Sequence, residues 1–123
     1  PQGLLEAGDV RRMSLEQLSE SARKAGFLIV EAHPFRYDSV IMDDRLLDGV
    51  EVYNANKNHD SHDYLAELWA EKKHLIRTTG SDFHDPHDHT AAGIMTEEPI
   101  EDNETLLRVL RSGAYELIRP DMD

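Results

Sequence analysis

Apolar residues along this chain follow two rhythms that take turns. Leu15, Leu18, Ala22 and Ala25 recur at the spacing of one helical face. Ser14 can cap that helix, Gln17 three positions on fits a capping box, and Gly26 ends it. The apolar run at 27–32 then reads as a buried strand that stops at His33-Pro34, because proline removes a pairing donor. Residues 35–48 look irregular, with a short helix expected at 43–47. A second strand is expected over Gly49–Asn54. Ser61 is expected to cap a helix carrying Tyr64, Leu65, Leu68 and Trp69 and running to Lys73. Residues 74–79 read as a third strand ending at Gly80, 81–90 as a polar stretch, and 91–96 as a short strand. A third helix is expected from Asn103, with Leu106, Leu107 and Leu110 on one face and Gly113 at its end. Residues 115–119 read as a last strand, while 1–13 show no clear rhythm and read as largely loop.

Strands alternating with helices of this length imply parallel βαβ units and an α/β fold. In such folds chemistry gathers at the carboxyl ends of the strands. His33 falls at the end of the first expected strand, and Asp82 and His84 fall just past the third. If the chain is extended there, Asp82 and His84 point the same way and can reach one cation. Pro34 is expected to hold His33 extended as well. The alternatives are a hydrogen-bonded structural histidine at position 33 and an Asx-turn at Asp82. Glu51 lies mid-strand, where a carboxylate is costly unless it is paired. It either orients a ligand or lines the solvent face of an edge strand. Asn54 is either a turn residue or a donor to a substrate. Arg36 can grip a phosphate with two donors, or it is simply exposed. His87 and His89 read as loop residues near the mouth of a site, His59 and His62 as flanking a helix start, and His74 carries no assigned role.

Composition narrows the chemistry. The chain has 123 residues and no cysteine, so disulfides, thiolate metal sites and cysteine nucleophiles are excluded. A reducing, cytoplasmic compartment is compatible with this. Any metal must be held by His, Asp or Glu, which favours zinc, manganese or iron. With 25 acidic against 13 basic residues the formal charge is −12, and no basic cluster marks a nucleic-acid surface. No apolar run approaches the ~20 residues of a membrane helix. Phosphate-cradling loops, nucleophile elbows and dinucleotide fingerprints are absent from the sequence.

Three stretches in order carry a family resemblance: Ala32-His-Pro-Phe-Arg, Asp48-Gly-Val-Glu-Val-Tyr-Asn and Gly80-Ser-Asp-Phe-His. Together they resemble the later part of the PHP domain, named for polymerase and histidinol phosphatase domains. The resemblance spans nearly the whole chain. It implies the C-terminal part of a distorted (β/α)7 barrel, with mostly parallel strands and flanking helices. It also implies a cluster of divalent metals and hydrolysis of a phosphoester. His33, Asp82 and His84 would be metal ligands, with Asp82 and His84 at the catalytic centre. Arg36 and His87 would contact the substrate, and Glu51 and Asn54 would support the ligands. The family's opening His-x-His motif has no match, and Glu31 stands where small or apolar residues are usual. The expectation is therefore a segment of a longer phosphoesterase, weakly active or inactive alone, acting on a phosphorylated small molecule or nucleotide. Open barrel edges would favour self-association. The competing expectation is a non-catalytic PHP-like scaffold or interaction module.

Overall fold

The strand Gly49–Asn54 is buried along its whole length, and the rest of the fold is arranged around it. The computed structural model describes residues 10–88 and 91–120. A 3-10 turn at Val10–Arg12 leads to α1 (Leu15–Lys24), then β1 (Val30–Glu31), a 3-10 turn at Asp44–Leu46 and β2 (Gly49–Asn54). Next come α2 (Asp63–Lys73), β3 (Ile76–Gly80), β4 (Gly93–Met95), α3 (Asn103–Ser112) and β5 (Glu116–Ile118). The result is a mixed α/β domain with three α-helices among the described residues. Its main sheet has the order β1-β2-β3, and every pair in it is parallel.

The parallel arrangement expected from the alternating pattern holds for β1 to β3. The last two strands depart from it, since β4 and β5 form a separate antiparallel pair. Strand–helix–strand order in sequence does not distinguish a crossover from a reversal, and here the chain reverses. The described strands close no barrel. None of the described helices is long and apolar enough to cross a membrane.

The core forms where α2 covers the sheet. Val50 and Val52 are fully buried with Leu47, Ala66 and Ala70, and Ile29, Phe35, Trp69, Leu75 and Leu117 pack around them. Small alanines on the inner side of α2 let the helix lie close to the valines. Phe35 meets Trp69 edge to face, with ring centroids 5.8 Å apart. That contact fastens the segment after His33 to α2.

The ends of elements follow local chemistry. Ser14 and Gln17 form the expected capping box on α1. Asp102 caps α3, and Gly113 closes it in the left-handed region. The expected cap of α2 is corrected. His62, not Ser61, occupies that position, in a left-handed conformation and without a side-chain cap. The Ser61 hydroxyl accepts hydrogen bonds from Arg36 instead. The first strand is also shorter than the apolar run suggests. The Asp48 carboxylate takes the Ile29 amide in place of a ladder bond, and the chain turns at His33.

Side chains join the two sheets. The Thr79 hydroxyl accepts from the Gly93 amide at 2.6 Å and lies 2.7 Å from Gly93 O and 2.9 Å from Ile118 O. A hydroxyl has one proton, so it donates to one of those carbonyls at a time. The Tyr115 hydroxyl donates to Arg77 O, and Glu67 on α2 binds both Arg77 and Arg119.

Gly49 lies tight against its partner Ile76 on β3. A Cβ there would stand 2.6 Å from the Ile76 carbonyl oxygen, which is backbone and cannot swing away. Gly49→Ala is therefore expected to destabilise the protein by about 1–3 kcal/mol, the usual cost of overpacking. Urea unfolding measures it, and an unchanged midpoint would contradict the close approach.

Candidate active site at the strand ends

Glu51 organises the carboxyl edge of the main sheet. It is buried in the central strand, so it does not line the solvent face of an edge strand. Its Oε2 accepts the His33 backbone N–H at 2.7 Å, and both carboxylate oxygens accept from Asn54 Nδ2 at 3.1–3.3 Å. In an unbroken pleat, residues three apart face opposite sides. The pairing of β2 with β3 shifts register between Glu51 and Tyr53, which brings Glu51 and Asn54 together. Gly80 on β3 leaves the space, since a Cβ there would lie 2.5 Å from Glu51 Oε1.

This carboxylate fixes the backbone of His33. The expected extended conformation does not occur: φ of His33 is +31°. The preference imposed by Pro34 yields to a charge-assisted bond from the His33 amide to a buried acceptor. The bond offsets a backbone strain of about 1–3 kcal/mol. The imidazole Nδ1 lies 2.9 Å from the Ser39 hydroxyl, leaving Nε2 for a ligand.

Asp82 also departs from the extended geometry expected of Asp-x-His, with φ of +51°. The turn nevertheless places the two side chains together. His84 Nδ1 donates to the Asp82 carbonyl at 2.9 Å and lies 3.4 Å from Asp82 Oδ1. A carbonyl can only accept, so His84 keeps its proton on Nδ1 and presents Nε2. Arg36 Nη2 donates to Asp82 Oδ2 at 2.9 Å, with both side chains largely buried. Burial alone would raise the Asp82 carboxyl. Hydrogen bonds from Arg36 and Asn54, with the Arg36 and His84 charges, outweigh it and hold the group below its ordinary value.

Four further residues support the site in ways the sequence pattern did not mark. Ser61 anchors Arg36, and Asn56 Nδ2 donates to the Asp82 carbonyl. Asp63 at the start of α2 accepts the Asn54 amide, and buried Asp88 accepts the amides of His84 and Asp85. For Asn56 the polar run Asn56-Lys-Asn just past a buried strand was the available signal. His87 is exposed on the turn that Asp88 holds, with its amide bonded to Asp85. His89 lies outside the described residues.

The side chains at the strand ends include nitrogen and oxygen donors. His33 and His84 each have Nδ1 engaged by an oxygen, as metal-bound imidazoles do, and Asp82 supplies a carboxylate. Among the described residues no three such groups are gathered at coordinating distance. Comparison with family models, curated proteins and solved structures finds no match.

Burial raises the Glu51 carboxyl above its ordinary 4.5; hydrogen bonds from Asn54 and the His33 amide oppose the shift. A raised carboxyl binds its proton more tightly in the folded state. Its contribution is complete below 4.5 and is lost as pH rises through the raised value. Metal-free wild type should therefore lose stability relative to Glu51→Gln as pH rises over that interval. Urea unfolding at several pH values measures this, and a pH-independent difference would contradict it.

Proposed function

We propose that this chain supplies the later part of a metal-dependent phosphoesterase site, within a distorted α/β barrel of the PHP type. One observation carries the reading. His33 after β1, Glu51 on β2, and Asp82 with His84 after β3 all lie at the carboxyl edge of one parallel sheet, where α/β folds place their chemistry.

His33, Asp82 and His84 would hold a zinc, manganese or iron ion together with donors beyond this set. When bound, the ion supplies a water of lowered pKa and neutralises charge on the phosphoryl group. The chain's own residues do the rest. Glu51 fixes the His33 backbone, and so the direction from which that imidazole approaches. Ser61 and Asp82 hold the Arg36 guanidinium in place, and its remaining donors suit a phosphoryl oxygen. Asn56 and the Asp82 carbonyl orient the Asp82–His84 turn. The substrate in this reading is a phosphorylated small molecule or nucleotide.

A second reading keeps the fold and drops the reaction, leaving a PHP-like scaffold. What favours it is that Arg36 already neutralises Asp82. Manganese or zinc binding separates the two. The phosphoesterase reading expects binding that Asp82→Asn and His33→Ala each weaken at least tenfold, the scale set by losing a positioned ligand. It also expects phosphatase turnover that follows metal content, slow in the 123 residues alone. Turnover unaffected by His33→Ala would sink this assignment.

A further inference from the structure

A cavity of about 640 Å³ lies at the other end of β3, between that strand, the end of α3 and β5. It takes in Ile76 and Arg77, whereas the candidate site begins past Gly80, roughly 13 Å further along the strand. Leu75, Ile76, Leu110 and Leu117 give it an apolar lining. Its charged lining is unlike the chain as a whole, which carries −12. Arg77, Arg111 and Arg119 stand there with a single carboxylate, the exposed Glu116. Of the other polar side chains, the Tyr115 hydroxyl donates to Arg77 O, and the Ser112 hydroxyl donates to Val109 O and accepts the Ala114 amide. His74 is exposed.

The arginines are not satisfied by what surrounds them. Glu67 on α2 takes one terminal nitrogen each from Arg77 and Arg119, so two cations share one carboxylate. The Nε–H groups of both are buried and meet no acceptor. Only four side-chain atoms among the described residues are stranded in this way, and two belong to this pair. Unmet buried donors are costly, and two of them on guanidiniums that share a carboxylate mark a place where an acceptor is lacking. Arg111 spends one nitrogen on Gly26 O. With Glu67 and Glu116 both counted, three cations stand against two anions. We propose that this cavity is a second ligand site, which takes a small carboxylic acid with an apolar body. Its carboxylate accepts from Arg77 and Arg119, whose planar guanidiniums match it, and its body packs on Leu75, Leu110 and Leu117. The single excess positive charge suits a monoanion over a phosphate dianion. This inference does not depend on the phosphoesterase reading.

Backbone amide chemical shifts followed by NMR test it, with benzoate, benzamide and inorganic phosphate titrated into the chain. Benzoate should shift the amides of residues 74–77 and 110–119 and saturate with a Kd of about 1 mM or below. Benzamide has the same body without the charge, and phosphate has charge without the body. Each should bind about tenfold more weakly than benzoate, or weaker still. Arg119→Lys keeps the charge and can still reach Glu67, but it loses the planar fork and should weaken benzoate about tenfold. Arg111→Gln changes an exposed side chain and should weaken it about threefold. The same spectra show whether each variant keeps its fold, and if Arg119→Lys does not, Arg111→Gln carries the test alone. Benzamide or phosphate matching benzoate overturns the proposal, as do shifts confined to residues 33–39 and 80–88. So does a benzoate affinity that the folded variants leave unmoved.

Discussion

One buried carboxylate governs the carboxyl edge of this sheet. Glu51 lies in the central strand, where an unpaired charge would be very unfavourable, and three donated contacts from the His33 amide and Asn54 satisfy it. The bulge in β2 and the missing side chain at Gly80 both serve this group. In return it holds the loop after β1 in a conformation that loop would not adopt alone. Remove the carboxylate, and nothing else on β2 takes the His33 amide.

From that point the polar contacts spread outward without a break in logic. His33 engages Ser39, Arg36 joins Ser61 to Asp82, and Asn56 holds the Asp82 carbonyl. Each strand end is tied to the next by a side chain, so the three loops form one polar layer above the apolar core. Phe35 packed on Trp69 supports that layer from below. Rigid underpinning of this kind is what a site needs if its side chains are to meet a ligand without rearranging.

Much of this was legible in the sequence, and the reasons are local. The apolar run of β2 and the capping signals of α1 and α3 place those elements within a residue or two. The placement of His33, Asp82 and His84 at strand ends followed from element order alone. What escaped was set by contacts far apart in the chain. Pro34 argues for an extended His33, and only the Glu51 carboxylate, 18 positions away, reverses that. Ser61 looks like a helix cap until Arg36 claims its hydroxyl. Antiparallel pairing of β4 with β5 leaves no trace in the alternation of strand and helix. Capping and periodicity act within a few residues, whereas these outcomes depend on which loops the fold brings together.

The seam between the two sheets has a consequence for how the chain tolerates change. Away from close approaches such as Gly49 and Gly80, a backbone ladder depends little on which residues form it, provided none is proline. The seam at Thr79 is different, because a hydroxyl, a phenol and guanidinium–carboxylate contacts join the elements there. Sequence drift within β2 and β3 can preserve their pairing, but drift at Thr79, Tyr115 or Glu67 loosens the last two strands as a unit. Cohesion of the segment from Gly93 to Arg119 with the main sheet is thus written in side-chain identity.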